Sequence, residues 1–355
     1  MNFLERFHCA INGEKPDKVP ILGYKGLFPH GAFERYLRNR GLGLISYANL
    51  VSETVENEKN CYANFGEHTE VTRSIPGGMV TNRFISGAAE ARIVEAVHRL
   101  YTDSWIKRPE DYDVLISLIE QSSFSVNLTS FKERLADLGT DGYMLEGTAP
   151  AYTGLLSFLG VLCWTFEQVE NPDRFNDLVN AYRRRSEKKV DILCSIDEIK
   201  MIMLGDITDN MGPNRLKEGD MPFWKKNVPI LQKAGKKCGI HAHASILRPH
   251  LSNLSEMGLD FIESFTPPPY SDLPLPELRQ SVGDSVCIYI NIPEAVFYSG
   301  YDYTKKYTVE LLQSDPSYRK AIGITEMGMM GVTEKTRNIF EEGFRAVFDA
   351  VDECS

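Results

Sequence analysis

From about residue 143 onward, short apolar runs alternate with longer amphipathic stretches. The runs at 143–147, 199–205, 238–243, 261–262, 286–291 and 321–325 have the length and turn-rich borders of buried strands. Between and after them, residues 153–166, 172–195, 222–234, 247–257, 303–313 and 334–351 carry apolar positions at helical spacing. The first half is less regular. Residues 19–24 predict a strand after the turn-like Glu14-Lys-Pro-Asp-Lys18, and residues 30–58 read as polar and helical. Residues 60–105 are mixed, with β-rich pieces such as Glu70-Val-Thr-Arg73 and a turn at Gly77-Gly78. A helix is predicted over 109–121, with acids in its first turn, and another over 132–138, ended by Gly139.

Strands alternating with helices imply βαβ units and a parallel sheet. Over 355 residues this rhythm fits a single α/β domain built as a (β/α)8 TIM-type barrel better than a doubly wound open sheet. No Gly-x-Gly-x-x-Gly follows the first strand, so a dinucleotide-binding fold has little support.

A barrel has a consequence for chemistry, because its functional groups cluster at the C-terminal ends of the strands. The polar residues expected there are Tyr24, Glu146, Asp206, Asp209, His241, His243, Glu263, Asn291, Thr325 and Glu326. His241 and His243 carry the most information. Two residues apart on a strand, their side chains share one face, and two neutral imidazoles there can share a cation. Taken alone, the pair reads equally as two core histidines satisfied by hydrogen bonds. Asp206 and Asp209 can bind substrate, orient a histidine or exchange a proton, or else cap the helix that follows. Met327, Met329 and Met330 suit an apolar pocket or plain core. Tyr24, Phe28, Tyr152, Tyr298 and Tyr301 can form an aromatic wall or pack singly. Arg183-Arg-Arg185 reads as a solvated helix face, or as a dock for an acidic partner.

Composition narrows the class. A net charge of −10 argues against non-specific nucleic-acid binding. The seven cysteines are scattered with no Cys-x-x-Cys pair, which favours reduced thiols. No run approaches ~18 apolar residues, so no membrane span is expected. The first residues lack the basic-then-apolar pattern of a signal peptide, and a cytoplasmic protein is expected.

The chain resembles the uroporphyrinogen decarboxylase superfamily, and within it the corrinoid-dependent methyltransferase branch. The motifs that carry the resemblance run in order along nearly the whole chain. They are Lys15-Pro-Asp-Lys-Val-Pro20, Ile106-Lys-Arg-Pro-Glu-Asp-Tyr112, Glu146-Gly-Thr-Ala-Pro150, Ile240-His-Ala-His243, Glu263-Ser-Phe-Thr-Pro-Pro-Pro269 with Asp272, and Gly283-Asp-Ser-Val-Cys-Ile-Tyr-Ile-Asn291. The resemblance implies a TIM-type barrel with an N-terminal extension and a site at the barrel mouth.

Two departures shape the expected function. Porphyrinogen decarboxylases carry an arginine-rich segment after the first strand, whereas this chain has Lys25-Gly-Leu-Phe-Pro-His-Gly31 and lacks the clamp for a polycarboxylate. Zinc members of the methyltransferase branch bind through His-x-Cys and a later cysteine. Here the pair is His241-x-His243, and Glu326 is the strong candidate near the last strand, which makes a His₂Glu set for zinc or, as a facial triad, for iron. The resemblance therefore implies a metal-assisted methyltransferase that exchanges a methyl group between a small methylated compound, such as a methoxylated aromatic, and the cobalt of a corrinoid protein. Asp206 and Asp209 are the expected catalytic residues, and Tyr24, Glu146, Tyr152, Asn291 and Met327 the expected substrate contacts. The rivals are a decarboxylase of a smaller acid and a non-catalytic corrinoid- or tetrapyrrole-binding protein.

Overall fold

The structure is a computed structural model, which describes residues 1–27, 31–85, 100–323 and 336–355. Eight parallel strands close into a barrel. They are β1 (Ile21–Tyr24), β2 (Leu42–Tyr47), β3 (Gly142–Gly147), β4 (Met201–Ile207), β5 (Lys237–Ala242), β6 (Phe261–Phe265), β7 (Cys287–Asn291) and β8 (Lys320–Gly323). Each pairs with the next in chain order, and β8 returns to β1. The expected barrel is the one observed.

One barrel strand departs from expectation. Among the described residues of 30–58 there is a short helix, Ala32–Asn39, then β2 and a further strand, Val51–Val55. The stretch Leu42-Gly-Leu-Ile-Ser-Tyr47 is buried along its first four residues and follows the helix after only Arg40 and Gly41, so no polar alternation or long turn marks it. Between β2 and β3 an insertion adds an antiparallel pair, Val51–Val55 with Ser122–Val126. It also adds a four-stranded antiparallel sheet over Lys59–Phe65, His68–Ile75, Gly78–Ile85 and Leu100–Tyr101.

Burial alternates along the barrel strands between lumen and outer layer. Tyr143, Leu145, Met201, Met203, Phe261, Cys287 and Tyr289 pack into one cluster inside the barrel. Met144, Ile202, Leu204, Ile240, Ile262, Ile288 and Ile290 join the larger core between strands and helices. Both faces are therefore apolar, as parallel strands require.

The N-terminal helix, Phe3–Asn12, belongs to the inner cluster. Asn2 and Glu5 start it with a capping box, and Gly13 ends it at φ 76°. Its buried residues Phe3, Phe7, Ala10 and Ile11 follow an i, i+4, i+7, i+8 stripe. Phe7 stacks on Tyr143 with ring centroids 4.3 Å apart and meets Tyr289 at 5.9 Å. The helix thus stoppers the N-terminal end of the barrel. It comes so close that a Cβ on Gly43 would lie 2.0 Å from the Phe3 ring, which is why β2 carries glycine there. Among the described residues no helix is long and apolar enough to cross a membrane.

Candidate functional site

Parity on β5 decides what reaches the mouth. Ile240 and Ala242 face the outer core, so Gly239, His241 and His243 face the lumen. Register then sets the neighbours of His241: Asp206 on β4 and Glu263 on β6. His241 Nδ1 is hydrogen-bonded to Glu263 Oε2. A carboxylate accepts, so Nδ1 carries the proton and the lone pair of His241 sits on Nε2. The Glu263 side chain is 1% exposed, against 29% for His241. Its second oxygen, Oε1, is buried with no hydrogen-bond partner among the described residues. This is the arrangement in which a buried carboxylate orients a histidine that acts through its other nitrogen.

The rest of the mouth surrounds this pair. His243 Nε2 lies 2.8 Å from the Tyr270 hydroxyl, and the two rings stack at 4.8 Å and 13°. The His241 and His243 ring centroids are 6.0 Å apart. Tyr24 ends β1 and stacks on Tyr47 of β2 at 5.3 Å. Burial, and then the negative charge of Glu263, push the Tyr24 phenol well above its ordinary range, so it stays a hydroxyl donor. Asp206 sits beside His241 at a bulge where the β4–β5 register shifts and Gly205 adopts φ 92°. Asn291 closes β7 and donates through Nδ2 to Ser264 Oγ at 3.1 Å and Thr266 Oγ1 at 3.4 Å. Ser264 is a non-glycine residue at φ 63°, next to Glu263 and within the register shift between β6 and β7. Holding it there costs on the order of 1–3 kcal/mol.

Several expected residues do other work. Glu146 follows Leu145 on β3, and since Leu145 faces the lumen, Glu146 faces out. Its Oε2 accepts from the Leu50 and Val51 amides and its Oε1 from Gly147, with Lys189 3.3 Å away. It ties the insertion to the barrel and does not line the mouth. Tyr152 lies in the helix Ala151–Leu159 and packs edge-on against Trp164 and Phe175 in the outer layer. The backbone there is held by Asp220, which accepts from the Tyr152 and Thr153 amides and the Thr153 hydroxyl. Asp209 accepts from Ser245 N, Ser245 Oγ and Ile246 N, and so fastens the loop after β5. Partial burial raises its carboxyl, and those donors outweigh it, leaving it below the usual range. That carboxylate is a loop anchor.

Glu326, Met327, Met329, Met330, Phe28 and Thr325 lie outside the described residues. Tyr301 bonds Asp349 on the closing helix, and Tyr298 is exposed, 3.4 Å from Glu294. Arg184 and Arg185 are paired with Glu120 and Glu53 of the same chain, so that helix face is occupied from within. Among the described residues no three His, Cys, Asp or Glu side chains converge as a metal site. Two residues of the mouth carried no assigned role in the sequence. Tyr47 lies in the unpredicted strand β2, and Tyr270 meets His243 only through the loop after β6. Glu263 was visible as a strand-end carboxylate, but its pairing with His241 depends on register.

No family model and no curated protein matches the chain. Among solved structures, a B12-independent methionine synthase from Shewanella sp. W3-18-1, in complex with selenomethionine, is similar at 12% identity. The match has a TM-score of 0.36 and covers 65% of this chain and 69% of that one.

Proposed function

We propose that this barrel is a methyltransferase whose mouth holds a small methylated compound and exchanges its methyl group with the cobalt of a corrinoid carried by a partner protein. The single observation that supports this best is the Glu263–His241 hydrogen bond beside His243. It fixes the orientation of one imidazole and turns its Nε2 away from the carboxylate, toward the mouth. The two imidazoles suit a divalent ion, zinc or iron, with Glu326 as the proposed third donor. When bound, such an ion would stabilise the oxygen that loses the methyl group.

The chain's own residues have definable tasks. Glu263 fixes the His241 ring, and Tyr270 fixes the His243 ring. Tyr24 and Tyr47 offer stacked aromatic faces with hydroxyl tips for a flat ligand. Asp206, in register with His241, would hold or accept a proton at the mouth. Nothing in this set carries a methyl group by itself, which is why the reading requires cobalt from a partner.

The test is spectral conversion of cob(I)alamin to methylcobalamin by the purified full chain with methoxylated aromatics as donors. Conversion that depends on enzyme and disappears in His243→Ala supports the reading; none with any methyl donor, in protein shown to be folded, overturns it. A second reading has its own observation. A histidine backed by a buried carboxylate is also a general acid–base pair, which would serve decarboxylation of a small acid without metal. Elemental analysis of protein purified without chelator separates the two.

A further inference from the structure

A separate cleft of about 370 Å³ lies outside the barrel, where the insertion folds back on the helices. Its walls include Tyr62, Arg73 and Tyr101 of the four-stranded sheet, Trp105 of the segment after it, and Phe158 and Tyr182 of two barrel helices. None of these belongs to the mouth. The volume is at the lower end of small-molecule sites, roughly 300–1,000 Å³. A second hollow of about 200 Å³ continues past Arg73, Phe158 and Tyr182.

The lining is aromatic, with hydrogen-bond donors in excess. The Trp105 and Phe158 rings are nearly parallel, 8° apart, with centroids separated by 6.4 Å, and Tyr101 tilts onto Trp105 at 5.7 Å. The Arg73 guanidinium stands 5.2 Å from the Phe158 centroid, and its Nε donates to Glu58 at 2.6 Å. Its other two nitrogens donate to none of the described residues. The indole Nε1 of Trp105, a residue 2% exposed, is buried and also lacks an acceptor among the described residues. Glu58 therefore occupies one nitrogen of the fork, and the Nη1/Nη2 edge has the geometry that takes a carboxylate with both oxygens. Aromatic walls select a flat apolar body.

We propose that this cleft binds a small planar aromatic carboxylate, with its ring among Tyr101, Trp105 and Phe158 and its carboxylate on Arg73. The assay is calorimetric titration of the full chain with sodium 2-naphthoate, with 2-naphthamide as the uncharged control. Expected are saturable binding at one equivalent, weaker binding of the amide, and a loss of about tenfold or more in Arg73→Gln, the scale of one charged hydrogen bond. His243→Ala should leave this affinity unchanged. Asn60→Trp, a change on an exposed strand that fills the cleft, should also weaken binding and guards against misfolding of the arginine variant. Absence of saturable binding would overturn the proposal. So would equal affinity for the amide, or binding that depends on His243 and is indifferent to Arg73.

Discussion

Replacing Glu263 by glutamine changes one charge at the centre of the mouth and almost nothing else. Glutamine keeps the chain length and an oxygen that can accept from His241 Nδ1. A hydrogen bond to a charged group contributes about 1.5–3 kcal/mol and a neutral one about 0.5–1.5, so the hold on His241 weakens by roughly 1–2 kcal/mol. At 1.4 kcal/mol per decade that is about five- to thirty-fold. Losing the carboxylate behind a histidine ligand costs roughly 10–100-fold in metal affinity or activity, which overlaps this range from tenfold upward. The fold should not suffer. Glu263 is 0% exposed and its Oε1 has no partner among the described residues, so the anion bears a desolvation cost that the amide escapes. The expected result for Glu263→Gln is a fall of about tenfold or more in turnover and in metal affinity by chelator competition, with a thermal midpoint equal to or above wild type. The opposite pattern, wild-type turnover and affinity with a lowered midpoint, would make Glu263 a structural carboxylate and remove the basis for giving His241 a role.

Two further predictions concern the scaffold. Phe7→Ala empties the stopper under Tyr143 and Tyr289 and should destabilise the chain by about 3–5 kcal/mol in urea titration; a change below about 1 kcal/mol would mean that the helix does not seal the barrel. Burial raises the Asp220 carboxyl to about 6, against the hydrogen bonds it accepts from Tyr152 and Thr153. The folded chain then holds this proton more tightly than the unfolded chain, so the contribution is fully present below about pH 4 and is lost as pH rises through 6, roughly 3 kcal/mol in all. Asp220→Asn should flatten that slope in denaturation curves between pH 4 and pH 7.5, and parallel curves for the two proteins would refute it.

The barrel was largely legible because its strands are apolar on both faces and stand out as short runs between helices. The same property hid which residues face inward. Leu145 and Glu146 look alike in position until packing shows that Leu145 enters the lumen, and Glu146 then turns to Leu50, Val51 and Lys189. His241 and His243 were legible through their spacing alone. Their partners were not, because Glu263 and Tyr270 arrive from β6 and the loop after it. β2 escaped notice because Gly41 and Gly43 thin out its apolar signal, and Tyr47 went with it. The helix Phe3–Asn12 had a readable stripe at 3, 7, 10 and 11, but only the three-dimensional structure gives that stripe its address beneath the barrel.

That helix also orders events during synthesis. Its residues are made before the strands they pack against, and the ring of Tyr289 follows Phe7 by roughly 280 residues, a contact of very long sequence separation. An amphipathic segment left waiting that long exposes Phe3 and Phe7 to whatever else is present. The nascent chain therefore carries a sticky segment until β7 has been made, and a holding chaperone would find a foothold there.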